Sequence, residues 1–421
     1  MTLTNILTII ALCLMAITTI CYAYQAIYLF VPMFVKRKKP EQAKKQHKFA
    51  ILIAARNEEA VLPHLLKTIR DQDYPAELIT TYVIADNCTD ATARVAAEGG
   101  AHVYERFNTE QVGKGYALNY LIDHIRAEEG GLERYDAFMI FDADNLLDAN
   151  FMTQINITCD QGYGVFGSFR NTKNFGTNWI SSGHAMWYLH DSVHLNQSRY
   201  LLGNPCFVTG TGFGFTRETL EKAGGNWKFF TLTEDIEFSA WLSYNGIRSG
   251  YNHDAILYDE QPESFKLSWR QRTRWVQGGI QVGMKHTGKL LKGIFQGGHS
   301  GYGCLEMITL TLLGYGFAAL SAVFSFIVTF IGSGFLGLAV SLVSMLLGTY
   351  VSMLLIGVLT VIPIWNRIRD TEKNKVLAVI TFPIYVATFV PIAVTAVFRK
   401  RRWAPIAHTV AISTEDMGGK K

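Results

Sequence analysis

Acidic side chains follow two short apolar runs of this sequence. Asp86 ends the run 82–85, and Asp142 and Asp144 end the run 137–141. Two carboxylates that are two residues apart lie on one face of an extended chain, and they repel each other unless a cation lies between them. Such oxygen ligands suit Mg²⁺ or Mn²⁺, which also bind substrate phosphates. Helix capping or a solvated loop is the alternative use of this pair.

Three further motifs carry side chains that suit phosphate or sugar chemistry. Lys114 stands between two glycines before a predicted helix, where its ammonium could meet a phosphate, although a simple turn explains the same pattern. A carboxylate of Glu234 or Asp235 could accept the proton of an attacking hydroxyl, or could cap a helix. The third motif consists of Gln271, Arg274 and Trp275. It offers a guanidinium for phosphate and an indole for the face of a sugar. The alternative is that it belongs to a basic helix on the membrane surface.

These side chains need a common scaffold, and the pattern between them predicts one. The runs 49–54, 82–85, 102–104 and 137–141 are short, apolar and typical of buried strands. Apolar residues at helical spacing separate them. Alternating strands and helices predict a Rossmann-like α/β fold with a mostly parallel sheet, in which ligands bind at the carboxyl ends of the strands. Both acidic clusters fall at such ends.

The composition argues against an all-soluble enzyme. Of 421 residues, 49% are apolar and only 18% charged, whereas an average soluble domain has about 25% charged residues. The net charge of +4 is too small for a nucleic-acid-binding face. Residues 1–35 carry no charge and basic residues follow from Lys36, which predicts an uncleaved membrane helix over about 6–31 with its C-terminal side in the cytoplasm. Six cysteines without metal or disulfide spacing fit a reducing compartment.

A second apolar block, residues 307–365, is interrupted by Gly-Ser-Gly and predicts two membrane helices, near 305–331 and 335–363. A third candidate covers about 376–398. Starting from the cytoplasm, three crossings would place the basic cluster 399–402 outside, against the positive-inside rule. A re-entrant or interfacial segment, or an extra crossing hidden in a long one, would remove this conflict.

We therefore predict an integral protein of a bacterial-type plasma membrane with a cytoplasmic α/β domain. No internal repeat is visible. The predicted parts are an N-terminal transmembrane helix with a basic segment (1–45), the catalytic domain (46–262), amphipathic interfacial helices (263–300), C-terminal transmembrane helices (301–400) and a tail (401–421).

Taken in order, the motifs resemble those of membrane-bound family 2 glycosyltransferases, the group that includes cellulose, chitin and hyaluronan synthases. The resemblance covers about residues 49–285 and rests on six motifs: Ala54-Ala55-Arg56-Asn57-Glu58, Asp86, Lys114, Asp142-x-Asp144, Thr233-Glu234-Asp235 and Gln271-x-x-Arg274-Trp275. It implies an α/β domain of GT-A type flanked by transmembrane helices. It also implies inverting transfer from a UDP-sugar with the help of a divalent metal.

The resemblance implies a role for each residue on the donor side. Asn57, Glu58 and Asp86 would hold the nucleoside of the donor. Lys114 and Asp142 would lie near the uracil or the diphosphate.

On the catalytic side, the resemblance implies that Asp144, together with Asp142, binds Mg²⁺ or Mn²⁺. Asp235 would be the general base, and Glu234 would lie beside it near the acceptor. The residues assigned to the acceptor and the diphosphate are Gln271, Arg274, Trp275 and Gly212.

The leading functional prediction is a processive hexosyltransferase that uses UDP-glucose or UDP-N-acetylglucosamine to extend a β-linked polysaccharide, coupled to export. The alternative is transfer of one sugar to a membrane lipid, which the small number of helices favours. An inactive scaffold is a third hypothesis, opposed by intact Asp86, Asp144 and Asp235. The expected partners are the donor, a polysaccharide or lipid acceptor, membrane lipids, and a second copy or an accessory export subunit, but not nucleic acid.

Overall fold

A computed structural model describes residues 2–37, 42–128, 130–399, 410–414 and 416–417. Eight strands form one sheet; they are β1 Phe49–Ala55, β2 Ile79–Asp86, β3 His102–Arg106, β4 Ala137–Asp142, β5 Leu146–Leu147, β6 Val165–Thr172, β7 Phe213–Thr216 and β8 Ser249–Asp259. Their order in the sheet is β3-β2-β1-β4-β7-β6-β8-β5. The first four strands are parallel and contain the four predicted runs, so this part of the prediction is confirmed.

The sheet changes direction beyond β4. Strand β7 is antiparallel to β4 and β6, whereas β6 and β8 are parallel to each other. The pairing of β6 with β8 shifts register between residues 168 and 169, as at a β-bulge, which bends a strand. The sheet is therefore mostly parallel at its N-terminal half and mixed at the edge that follows β4.

The helices between the strands cover both faces of the sheet. The helices are α1 Leu3–Phe34, α2 Leu62–Arg70, α3 Thr92–Glu98, α4 Lys114–Ala127, α5 Phe151–Asp160, α6 Trp179–His190, α7 Gln197–Leu201, α8 Arg217–Lys222, α9 Glu234–Tyr244, α10 Phe265–Ile294, α11 Gly298–Thr309, α12 Leu312–Val361, α13 Glu372–Ala387 and α14 Phe389–Phe398. Apolar residues of α2, α3 and α5 fill the core on one face, and those of α4, α8 and α9 fill it on the other. This two-sided burial explains why β1 and β4 read as continuous apolar runs.

The 50 residues of α12 form two helices that fold back on each other. Gly334 breaks the helix with φ +62°, which confirms the break predicted from the sequence. A Cβ on Gly337 would lie 2.1 Å from the Ser333 Cβ and 3.9 Å from the Thr329 carbonyl oxygen. Eight residues of straight helix would instead span about 12 Å. Each arm has more than the roughly 20 residues that a membrane crossing needs.

Both ends of this hairpin lie against the α/β domain. Before the first arm, Glu306 of α11 forms a buried ion pair with Arg199, with 2.7 Å between Oε1 and Nη2. After the second arm, Arg367 donates to Asp254 of β8 at 2.7 Å. The chain thus leaves the domain and returns to it, as two membrane crossings require. Three segments are long and apolar enough to span a bilayer: Leu3–Phe34, Gly316–Arg367 and Glu372–Phe398.

The last apolar segment also begins and ends against the domain. At its start, Asn374 donates to the Gly176 carbonyl at 3.4 Å. At its end, Gln277 of α10 donates to the Arg399 carbonyl at 3.1 Å, and residues 410–414 contact the domain again. We infer that α13 and α14 re-enter the membrane surface instead of crossing it. With α1 and two arms of α12 as crossings, the conflict with the positive-inside rule disappears, although residues 400–402 of the basic cluster lie outside the described residues.

This topology predicts the accessibility of single cysteines placed in a background without the native ones. A cysteine at Glu77, exposed on the domain, and one at Ala411, exposed beyond α14, should react with a membrane-impermeant maleimide from the same side of the bilayer. A cysteine at Ser333, at the tip of the α12 hairpin, should react only from the opposite side. Labelling in intact cells and in inverted vesicles measures this, and Ala411→Cys labelled together with Ser333→Cys would show that the last segment crosses.

Candidate active site

The predicted nucleoside residues lie together at the carboxyl ends of β1 and β2. Asn57 lies two residues after the end of β1 and has φ +58°, a left-handed conformation in which asparagine is enriched. Its Oδ1 accepts a hydrogen bond from the Thr89 backbone at 2.8 Å, which ties the two strand ends to each other. Glu58 is buried beside it. This is the arrangement expected from the order of the parallel strands.

Asp86 has a partner that the sequence motifs did not reveal. Nη1 of Arg106 donates to Asp86 Oδ1 at 2.6 Å, and the two side chains are only 5% and 6% exposed. The available signal was position: Arg106 ends β3, and the parallel register places it directly beside Asp86. The arginine fixes the orientation of the carboxylate through a charge-assisted hydrogen bond.

Lys114 lies among the acidic residues of the site. It begins α4, and its Nζ donates to Asp142 Oδ1 at 2.5 Å and to the Gly210 carbonyl at 2.7 Å. Glu234 Oε1 is 4.0 Å away. Although burial favours the neutral amine, the carboxylates of Asp142 and Glu234 raise the pKa of Lys114. The side chain is therefore a fixed positive charge between two groups of carboxylates.

Asp142 and Asp144 end β4 and fit the metal-binding role expected of them. Oδ2 of the buried Asp144 accepts a hydrogen bond from the Glu260 backbone at 3.0 Å, which orients its other oxygen. Two carboxylates suit Mg²⁺ or Mn²⁺, because these ions take remaining ligands from water and substrate phosphates. Within the described ranges, no group of three or more His, Cys, Asp or Glu side chains could hold a metal alone. The residues fit a site completed by a diphosphate.

Glu234 and Asp235 are the first two residues of α9, where the helix dipole favours carboxylates. Burial, together with the charge of Asp235, raises the pKa of Glu234 to about 7, and Lys114 and Arg274 act in the opposite direction. Burial also raises the pKa of Asp235, while a hydrogen bond from the Gly210 backbone favours its charged form. The pair can therefore take up a proton near neutral pH.

The loop between α7 and β7 brings two glycines to this region. Gly210, at φ +76°, lies beside Asp235: a Cβ there would lie 4.0 Å from Asp235 Oδ2. Gly212, at φ +68°, instead faces the sheet, where a Cβ would lie 1.8 Å from Leu257 Cδ2. Of the two, Gly210 is next to the reacting groups, and Gly212 lets the loop pack closely on β8.

Helix α10 contacts the segment that precedes Glu234 and Asp235. Arg274 donates to the Leu232 carbonyl at 3.1 Å, and Gln281 accepts from the Leu232 amide at 2.9 Å. Gly278 allows a close approach, because a Cβ there would lie 2.4 Å from Thr233 Oγ1. Arg274 of the predicted motif, together with Gly278 and Gln281 of the same helix, thus holds the segment that precedes α9.

Aromatic rings of α6, α10 and α14 lie next to one another around Trp275. The Trp275 ring lies 5.8 Å from that of Tyr188, 5.5 Å from that of His184 and 6.5 Å from that of Phe389. Gln271 lies one turn before Trp275, and its Oε1 is buried without a hydrogen-bond partner among the described residues. Ring faces of this kind can pack against the apolar faces of sugars. Tyr188 was not predicted, because α6 reads as an ordinary apolar helix.

Comparisons with known proteins agree with this geometry. Residues 47–278 match the model of a family described as Glycosyltransferase like family 2. The chain is 27% identical to a probable glycosyltransferase, YdaM, of Bacillus subtilis over 60% of each chain. It is 26% identical to a beta-monoglucosyldiacylglycerol synthase of Nostoc (58% of this chain, 51% of that one) and 25% identical to a poly-beta-1,6-N-acetyl-D-glucosamine synthase of Staphylococcus epidermidis over 61% of each.

The fold also has a solved counterpart. A mannosyltransferase of Pyrobaculum calidifontis, solved with GDP-Man and Mn²⁺, superposes with a TM-score of 0.60 and 17% identity, over 94% of this chain and all of that one. This likeness confirms the expected GT-A-like fold. The matches to the curated relatives span only about half to three fifths of those proteins.

The glycines predict a difference in stability that thermal unfolding in detergent can measure. Gly212→Ala adds a Cβ that overlaps Leu257 at a positive φ, and we expect it to lower the stability by about 2–4 kcal/mol. Gly224→Ala is the matched control, since Gly224 also has a positive φ but no atom within 4 Å of an added Cβ; it should cost only about 1–2 kcal/mol. Equal losses in the two variants would contradict the close packing of Gly212.

Proposed function

Because this chain belongs to the glycosyltransferases of family 2, we propose that it extends a β-linked polysaccharide at the membrane from UDP-glucose or UDP-N-acetylglucosamine, with inversion at the transferred sugar. One observation carries the proposal. The carboxylates that begin α9 lie beside Lys114, and Lys114 pairs with the first of the two carboxylates that end β4. A base, a cation and a metal-binding pair therefore surround one point, as group transfer from a sugar diphosphate requires.

The donor would lie along the carboxyl ends of β1, β2 and β4. Asn57, Glu58 and the oriented Asp86 form the nucleoside side, and Lys114 would meet the diphosphate. Asp142 and Asp144 would hold Mg²⁺ or Mn²⁺, which supplies positive charge to the leaving diphosphate. Charge placed where it develops in the transition state lowers the barrier more than it strengthens ground-state binding.

Asp235 would act as the general base. A sugar hydroxyl has a pKa far above 7, so it needs an acceptor for its proton at the moment of attack. Asp235 lies beside Gly210, and burial and the charge of Asp235 raise the pKa of the neighbouring Glu234 to about 7. Attack from the face opposite the diphosphate inverts the anomeric carbon, and an α-linked donor then gives a β-linked product.

The acceptor would lie over the aromatic rings around Trp275. A growing polysaccharide presents one sugar face after another, which suits a series of rings, and the relative from Staphylococcus epidermidis is named for polymer synthesis. The basic residues after α1 favour a cytoplasmic catalytic domain. Because the described chain offers three crossings, export would involve a second copy or an accessory subunit.

Asp235→Asn should separate binding from chemistry. The amide keeps the size of the carboxylate but cannot take up the proton, so we expect transfer to fall by about 10²–10⁴-fold. The affinity for UDP with Mn²⁺, measured by calorimetry, should stay within about threefold, because Asp235 lies on the acceptor side of Lys114. Turnover like that of the wild type would remove Asp235 as the base.

The product decides between the two classes of acceptor. Detergent-purified protein is incubated with Mn²⁺ or Mg²⁺ and each UDP-sugar, UDP release is measured, and the product is sized by gel electrophoresis. The proposal predicts release with one hexose donor and a ladder of long products. A single sugar on a lipid would contradict the proposal in favour of lipid glycosylation, and no release with any donor in native lipid would remove the activity.

A further inference from the structure

A series of buried hydrogen bonds connects the turn that carries Asp142 with the loop that lies beside Asp235. At its centre, Nε of Arg170 in β6 donates to Oδ2 of Asp259, the last residue of β8, at 3.0 Å. The two side chains are 9% and 5% exposed. None of the predicted motifs includes either residue.

On one side, the contacts reach the turn that carries the metal-binding pair. Asn145 donates to Asp259 Oδ1 at 2.9 Å, and its own Oδ1 accepts from the Thr211 hydroxyl at 2.5 Å. The same hydroxyl accepts from the Asp142 backbone at 2.8 Å. Three consecutive hydrogen bonds therefore fix Asp142 relative to β8.

On the other side, the contacts reach the loop that holds the base. Nη1 of Arg170 donates to the Thr209 carbonyl at 2.9 Å. The next residue, Gly210, lies beside Asp235, since a Cβ on Gly210 would be 4.0 Å from Asp235 Oδ2, and its carbonyl accepts from Lys114 at 2.7 Å. A rigid guanidinium thus binds a carboxylate and a loop carbonyl at fixed angles, which the flexible ammonium of a lysine cannot do.

We propose that Arg170, Asp259, Asn145 and Thr211 are positioning residues that set the geometry between the metal-binding turn and the base. A buried ion pair is weak evidence for stability, because desolvation offsets most of its attraction. Fixed geometry is what this pair supplies, since a displacement of about 1 Å at a reacting group can cost about 10²-fold in rate. The inference rests on the proposed function, because it assigns no role of its own in transfer to any of these side chains.

Thr211→Val tests the side that leads to the metal. It keeps the shape of the side chain but removes the hydroxyl between Asn145 and Asp142. We expect the affinity for Mn²⁺ with UDP to fall by about 3–10-fold and kcat to fall by about tenfold or more, because partners of metal ligands have effects of this size. Thr211→Ser should restore both. Thr219→Val is the matched control, since Thr219 is also buried and also donates its hydroxyl to an amide oxygen, here the Gly164 backbone carbonyl at 2.8 Å, away from the site.

Arg170→Lys tests the side that leads to the base. It keeps the charge but loses the bond to Thr209, so kcat should fall by about 10–100-fold, with Mn²⁺–UDP affinity within about threefold. Without the bond to Thr209 the loop is less fixed, and the Gly210 backbone, which favours the charged form of Asp235, can move away from it. Protonation of Asp235 then becomes easier, so the acid limb of the kcat–pH profile should move to higher pH. The charged and titratable groups that face Asp235 do not change in this variant: Lys114, Glu234, Arg274 and Tyr188.

The outcomes separate this inference from the proposed function. Absence of wild-type turnover would refute the proposed function, and Mn²⁺–UDP binding by Thr211→Val would still test the metal side. Unchanged binding and kcat in Thr211→Val, or losses that match those of Thr219→Val, would overturn the positioning role. In Arg170→Lys, the acid limb could stay at the wild-type pH while kcat falls only in proportion to the fraction of folded protein. That result would show that the pair of Arg170 and Asp259 has a purely structural role.

Discussion

The site depends on one constraint: four carboxylates of two different chain segments share a mostly buried space with one lysine. Asp142 and Asp144 end a strand, Glu234 and Asp235 begin a helix, and Lys114 lies between the two groups. Carboxylates that approach each other in a low-dielectric site repel, and one of them then holds a proton at neutral pH. Burial and, after it, the charge of Asp235 raise the pKa of Glu234, and Lys114 limits the rise.

The same arrangement explains how binding and chemistry could be linked. The ammonium of Lys114 contacts Asp142 on the donor side and the Gly210 carbonyl on the side of the base. A diphosphate and a divalent ion that enter the donor side change the charge around the lysine, and hence around Glu234. Helix α10 adds a mechanical link, because Arg274 holds the segment before α9 while Gln277 of the same helix holds the end of the re-entrant segment.

The sequence predicted the half of the fold that has a local signal. Strands such as β1 are buried on both faces and read as apolar runs, and the break of α12 shows as glycines around Gly334. The mixed half of the sheet has no such signal, because polar residues interrupt the apolar runs of β6 and β8. Hydropathy also could not distinguish a crossing from a re-entrant segment, because α13 and α14 have the composition of a membrane helix; the inference that they re-enter rests on contacts at both of their ends.

The residues of the candidate site also fall into those with a local sequence signal and those without one. Carboxylates at strand ends and at the start of a helix, such as Asp142 and Asp235, follow from element boundaries, so the sequence could propose them as site residues. Arg106, Tyr188 and Arg170 act through partners that are distant in sequence, so their roles depend on the pairing of strands and helices that the chain alone does not reveal.

The pH dependence of single-turnover transfer by wild type and Lys114→Met measures whether Lys114 controls the charge of Glu234 and Asp235. If Lys114 keeps Glu234 and Asp235 in their charged form, its loss raises the pKa of these carboxylates, and the acid limb of the profile moves to higher pH. The rate that remains at high pH reports the lost contact between Lys114 and the diphosphate. An acid limb at the same pH in both proteins would contradict this role, because it would show that Lys114 does not control the charge of these carboxylates.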